Sequence, residues 1–477
     1  MSNYTFLAAN PEKASRFFPN ENLDYSVRNN YQIDRDRILY SKAFRRLRGK
    51  TQIFIAGYDD HVRNRLSHTL EVSQIARTIS NALGLNEMLT EAIALGHDLG
   101  HTPFGHVGER TLNKITYGDI KLNVDNFDIQ EMKKGFKHNW QSVRVACDLE
   151  YHNRDYPGLN LTKETLWGFL HHSKLKYSDS NLVFYEDIYA DLLPDYECWS
   201  FEGIVVSLAD EIAQRHHDIE DGLITGILEK ESLISQLTKL YQEIHTSRAA
   251  NLIASLEKIN GENYPEFYFE MLARDIVNFY VCEVVENTKR LFDEMTEGLS
   301  LSDSNPISEN KDRIWNEYIR DKKTFERKMM SDILHRVDDE LQSKYFKNRI
   351  LLSHQAQKND GKAAYVIKKI MEAYMANPQQ MPDNAIIMLF ANSNGEFRLK
   401  TETMNELFAE GEKRSDNIGN WREKLDDAMK DKDRWHDDPL FKEVLPRTII
   451  DYVAGMTDDY ALAIYEQLYG GTKKNRY

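Results

Sequence analysis

His97 and Asp98 are adjacent in a short run, LGHDLGHTPFGHVGE, that also holds His101, His106 and Glu109. An imidazole and a carboxylate side by side are donors for a divalent metal, but on a regular helix neighbouring side chains diverge by about 100°. At a helix end the backbone can turn and bring both onto one ion. Completing such a site takes donors from elsewhere: a histidine on an earlier helix, in RLSHTLEV, and a carboxylate much later, in SLADEIAQRHHDIEDG. Two imidazoles and two carboxylates suit a borderline or hard divalent ion with positions open for water and phosphate. A thiolate zinc site is not supported, because Cys147, Cys198 and Cys282 are scattered and form no CxxC pair.

Hydrolysis of a phosphate ester at such an ion needs a nucleophilic water, charge neutralisation and protonation of the leaving oxygen. The metal serves the first two needs. A histidine titrating near neutrality suits the third, and His101, His106 and His138 are the candidates. A carboxylate three residues after His106, Glu109, can fix an imidazole tautomer and raise its basicity.

Helices must carry these groups. In HTLEVSQIARTISNAL, His68, Val72, Ile75 and Ile79 recur along one helical face. Asn86 predicts the cap of a following helix, with Leu89 and Ile93 on its buried side and Gly96-His97 at its end. Glycines and Pro103 then break the regularity. Helical spacing begins at Arg35, returns over 161–173, 202–223 and 252–292, and continues over 313–378 and 442–469. The polar stretch 296–312, centred on Asn305-Pro306, predicts a boundary. The chain therefore reads as an N-terminal arm (1–34), a core (35–300) and a mainly helical C-terminal region (301–477). Residues 385–399, an apolar run followed by Asn394-Gly395, predict one small hairpin. Strand–helix alternation is absent, so the predicted fold class is all-α, without a central sheet of four or more strands.

Composition narrows the function classes. The hydrophobic fraction is 41% and the charged fraction 29%, a globular balance, and the 23 glycines and 11 prolines are few enough to favour helices. The net charge of -15 argues against a general duplex-DNA binder, which needs a cationic surface. An anionic substrate would then need a metal or a focused cluster of Arg and Lys. The N-terminus has no long apolar segment, and no apolar run approaches the roughly 18 residues of a membrane helix. Three scattered cysteines fit a reducing cytoplasm, which is the expected compartment.

His68, His97-Asp98 and Asp210 reproduce in order the H…HD…D signature of the HD superfamily. More narrowly, HDLGHTPFGHVGE, GFKHNWQS, LADEIAQRHHDIEDG and DYVAGMTDDYA together resemble deoxyguanosinetriphosphate triphosphohydrolases and related dNTPases, over about Arg35 to Tyr469. The resemblance implies an HD-domain helical core and His68, His97, Asp98 and Asp210 as ligands of Mg2+ or Mn2+, with iron an alternative. It implies attack at the α-phosphorus of a dNTP and release of intact triphosphate. His106 would protonate the 5′ oxygen, Glu109 would pair with it, and His101 and His138 would lie beside the phosphates. Arg65 matches a phosphate-binding position, with Arg63 a rival. Gln52 matches a position at the sugar or base, and Asp218 one that holds the sugar 3′-hydroxyl. Two positions depart: Gln214 stands where many relatives have a sugar-packing Tyr, and Glu211 where some have a phosphate-binding Lys.

The partners that follow are a dNTP substrate, an activating second dNTP, single-stranded nucleic acid and further copies of the chain, without a membrane. Two other functions compete: a regulatory oligomer that binds nucleotides or single strands with little turnover, and another kind of HD phosphohydrolase. The intact His106 and Glu109 speak for an active enzyme, and GFKHNWQS and GMTDDYA against a generic HD phosphatase.

Overall fold

The protein, seen in a computed structural model, is described over residues 4–19, 27–52, 63–124, 134–151, 153, 156–175, 182–392, 397–398, 412–430, 438 and 440–470. Among these residues β-structure amounts to isolated bridges such as Thr51–Asn64, and the fold is all-α.

One long helix, Phe201–Ile224, is the axis of the core. Ser200 caps it by accepting from the Gly203 backbone, and its apolar residues Ile204, Val205, Leu208 and Ile212 are buried. It packs against the helices Arg65–Leu83, Glu87–Gly96, Lys163–His171 and Pro265–Leu299. Its first half is mostly apolar and buried nearly all round, whereas its second half carries Asp210, His217 and other polar groups inward. Arg65–Leu83 buries Val72, Ile75 and Ile79 on the face of His68, as the spacing predicts, and ends at Gly84 in the left-handed region (φ 72). Asn86 caps the next helix through the Met88 and Leu89 backbones, and Leu89 and Ile93 are fully buried. This helix ends at Gly96, where a Cβ would come within 2.0 Å of the Phe169 ring. Only glycine lets the two helices approach so closely there.

Three sequence expectations need correction. Among the described residues the first α-helix starts at Asn30, ahead of Arg35, because Asn29 and Gln32 form a reciprocal capping box that apolar spacing does not reveal. The stretch 442–469 is broken: Leu445–Ala454 and Asp458–Tyr469 are separate helices, the second capped by Thr457. The hairpin is not formed as predicted, because Asp383–Ala391 is a helix that buries Ile386, Ile387 and Leu389. A short apolar run carries no period, so burial decided its conformation. Asn394 and Gly395 lie outside the described residues. The helix His354–Ala376 packs against Gly105–Thr116 and against both C-terminal helices, so the chain's end meets the His106 segment. Among the described residues no helix is long and apolar enough to cross a membrane.

Candidate active site

The helices bring His68, His97, Asp98 and Asp210 to one buried point. His68 Nε2 is 2.9 Å from Asp210 Oδ1. His97 Nε2 is 3.8 Å from that oxygen and 3.5 Å from Asp98 Oδ1. His97 and Asp98 follow the end of Glu87–Gly96, where the chain turns. The His97 ring donates Nδ1–H to the Ala94 carbonyl at 2.7 Å, which leaves Nε2 with a lone pair. That nitrogen is buried and has no hydrogen-bond partner. A bare lone pair flanked by two carboxylates fits a cation. Burial alone would raise both carboxyls, but His101, His97 and Arg65 hold Asp98 well below its usual range. His68, 2.9 Å from Asp210, and the nearby His97 hold the Asp210 carboxyl down in the same way. Both donors are therefore anionic at neutral pH.

A second group lies alongside. His101 Nε2 is 3.2 Å from Asp98 Oδ1, and its ring stacks on His138 with centroids 3.9 Å apart. Donor atoms of His101, His106, Glu109 and His138 all fall within 4.8 Å of one another. The Glu109 carboxylate accepts from Lys137 Nζ at 2.8 Å, from the His138 backbone at 3.2 Å, and from His138 Nδ1. It therefore orients His138 directly, and it also acts electrostatically on His106, whose donor atom lies within 4.8 Å. Both stand on the helix Gly105–Thr116, but Glu109 turns inward while the His106 ring stays exposed. Burial holds the His101 imidazole well below its usual value. Protein packed around the inner edge of His106 pushes it down to about 4, with Glu109 opposing. Water at its open face screens that shift.

The expected substrate residues are placed less uniformly. Arg65 is buried, and its Nη1 donates to Asp98 Oδ2 at 2.6 Å. Its Nε and Nη2 are buried without partners. Gln52 is half-buried with an unpartnered side-chain oxygen. The groups around Asp218 include Arg215, Asp221, Gln342 and Asp338, and burial pushes its carboxyl up to about 7. Arg63 is taken up by ion pairs to Glu71, Glu220 and Asp221. Glu211 is exposed and reaches Arg215 at 3.9 Å.

Sequence reasoning missed three contributors. His172 follows the helix Lys163–His171 as His97 follows its own, and likewise donates Nδ1–H to the carbonyl three residues back, Phe169, at 2.7 Å. Its Nε2 lies 3.1 Å from His138 Nε2 and 4.0 Å from Asp98 Oδ1. Burial pushes the His172 imidazole down to about 3, so it stands in this contact as a neutral ring. A histidine at a helix end was the available signal. Lys50 and Asp458 are the others. The fully buried Lys50 side-chain nitrogen, whose pKa burial pushes well down, donates to the carbonyls of His101 and, at 2.9 Å, Ala454. Asp458 accepts from the Thr51 backbone at 3.0 Å, the Thr51 hydroxyl, and the Phe104 backbone at 2.8 Å. Phe104 is left-handed (φ 61) and starts the His106 helix, so this bond holds a strained residue in place. Asp458 belongs to the block DYVAGMTDDYA.

Comparison with known proteins places these blocks in a family. The HD domain matches residues 65–215, and a phosphohydrolase-associated domain matches 420–467. A deoxyguanosinetriphosphate triphosphohydrolase-like protein of Bartonella quintana is 31% identical over 459 residues, 94% of this chain and 91% of that protein. One from Leptospira interrogans is 30% identical over 97% of this chain and 95% of its own length. One from Clostridium perfringens is 46% identical over 227 residues, a match that spans only 56% of that relative.

Proposed function

Because this chain belongs to the deoxyguanosinetriphosphate triphosphohydrolase-like family of HD-domain proteins, we propose that it hydrolyses dGTP or other dNTPs to deoxynucleoside and inorganic triphosphate. The observation that carries this reading is Arg65, a buried guanidinium beside Asp98 with two nitrogens left unpartnered. A buried cation with free donors next to a metal-fit cluster is a receptor for a phosphate.

His68, His97, Asp98 and Asp210 would hold a divalent ion, Mg2+ or Mn2+, with iron compatible with the same donors. Bound there, the ion supplies Lewis-acid charge and an acidified water. Arg65 contacts a phosphate oxygen with Nε and Nη2. His101 and His138 flank the phosphates, and Glu109 fixes the His138 ring by accepting a hydrogen bond from its Nδ1–H. His106, at the open edge, gives a proton to the leaving 5′ oxygen. A polyanion beside it raises its pKa and loads that proton. Gln52 contacts the sugar or base through its unpartnered oxygen, and Asp218 holds the sugar 3′-hydroxyl. In this reading residues 35–300 are the catalytic core of a cytoplasmic homo-oligomer, and 301–477 brace it. Sites for an activating dNTP and for single-stranded nucleic acid rest on the family resemblance.

Incubating the purified protein with each dNTP and Mg2+, Mn2+ or Fe2+, then separating the products, tests the reading. Deoxynucleoside and triphosphate in equal amounts are expected. Pyrophosphate or orthophosphate as the product would overturn it. No turnover with any of the three ions would overturn it in favour of a nucleotide-binding regulatory oligomer.

A further inference from the structure

On the side of His68 away from Asp210 runs a chain of polar groups that the hydrolysis above does not use. His68 turns Nε2 to Asp210 at 2.9 Å and Nδ1 to the Nδ1 of His217 at 3.2 Å. His217 turns its other nitrogen, Nε2, to Glu71 Oε2. Glu71 Oε1 accepts from Arg63 Nε at 2.9 Å. Glu71 stands on the His68 helix and His217 on the Asp210 helix, and both rings are buried.

The order of protons along this chain follows from donor chemistry. An ionised carboxylate only accepts, so His217 Nε2 carries the hydrogen. A neutral imidazole has one N–H, so His217 Nδ1 is left as an acceptor. Its partner, His68 Nδ1, must then be the donor. His68 Nε2 is left with a lone pair, and it is the atom that faces Asp210. Without the carboxylate, His217 can move its hydrogen to Nδ1 and donate to His68. The His68 hydrogen then sits on Nε2, where it blocks coordination.

We propose that Glu71 and His217 are positioning residues that hold His68 in the tautomer able to bind the metal. The inference rests on the reading of His68 as a ligand. One rival uses the same groups: donor atoms of Glu71, His216 and His217 lie within 4.8 Å of one another, a spacing that suits a second cation. The proton order opposes it. A cation on His217 Nε2 pushes the hydrogen to Nδ1 and reverses His68, and one Glu71 oxygen already accepts from Arg63. The relay and a second ion exclude each other, so stoichiometry separates them.

The test is a Mn2+ titration of the full-length protein without nucleotide, with free Mn2+ read by EPR. The parent should bind one ion per chain. His217→Leu should lose about 10–100-fold in affinity, the range expected when a partner of a metal-bound histidine is removed. His217→Asn, whose amide oxygen can accept near the Nδ1 position, should recover most of that loss. Glu71→Ala should lose more than Glu71→Gln, which keeps an acceptor. Should His217→Leu fail to fold, the Glu71 pair carries the test, since that side chain is 34% exposed. Equal losses in Leu and Asn, or in Ala and Gln, would mean packing and overturn the relay. So would unchanged affinity in every variant while Asp98→Ala loses Mn2+. Two ions in the parent and one in Glu71→Ala would assign the second site instead. If Asp98→Ala itself binds normally, the metal reading falls and takes the relay with it.

Discussion

The two ends of the buried centre are built differently. At the metal end, His68, His97, Asp98 and Asp210 stand on or just beyond three helices that pack directly on one another. At the other end, His101 lies in a turn and His106 in the first turn of a helix that starts from the left-handed Phe104. That segment is gripped from the chain's far end, by Asp458 on Thr51 and Phe104 and by Lys50 between His101 and Ala454. A left-handed non-glycine residue costs about 1–2 kcal/mol, which the Asp458 bond helps to offset. Under the proposed function, ion binding therefore depends on the core helices, whereas proton delivery by His106 depends on the C-terminal helices as well.

Asp98→Ala should break the metal end outright. It removes a carboxylate near His97 and His101 and the partner of Arg65. Metal content should fall to background and hydrolysis nearly vanish, and full occupancy by metal analysis would refute the assignment. His106→Ala should separate the ends. Loss of a general acid lowers kcat by roughly 10²–10⁴-fold, with Mn2+ and substrate affinity nearly unchanged. A substrate with a better leaving group than the 5′ alkoxide should recover much of the rate, and no recovery would count against proton donation.

Asp458→Ala should act more weakly but on the same side. Orphaning the buried Thr51 and Phe104 N–H groups costs about 1–3 kcal/mol of stability, seen in urea unfolding. The kcat should fall with Mn2+ affinity unchanged; the opposite split would erase the contrast between the ends. The smallest effect on turnover chemistry concerns pH and Asp218, whose surroundings differ from both ends. Burial raises its carboxyl from 3.8 to about 7, so between those pH values the unfolded chain has released a proton that the folded one keeps. Stability from this group therefore declines as pH rises through that window and is level above it. The urea midpoint of Asp218→Asn, relative to the parent, should rise between about pH 4 and about pH 7. A flat difference would show that Asp218 is ionised throughout.

Much of the metal end was legible in the chain. The face of His68, Val72, Ile75 and Ile79, the Asn86 cap and the helix end at Gly96-His97 are all written within a few turns of sequence. Periodicity and capping are local, and the ordered blocks around His68, His97-Asp98 and Asp210 carried the family. The remainder was not local. His172 has no motif of its own until its helix packs against that of His138. Glu71 reaches His217 across 146 positions, and Asp458 reaches Thr51 across 407. The 385–399 segment shows the limit from the other side: its apolar residues fit strand or helix equally, and burial of Ile386 and Leu389 chose. The sequence by itself determined the helices around His68, His97-Asp98 and Asp210 and which donors they carry. Only the tertiary structure decided which nitrogen of each histidine is free, because a tautomer is set by the partner on the ring's far side, and packing supplies that partner.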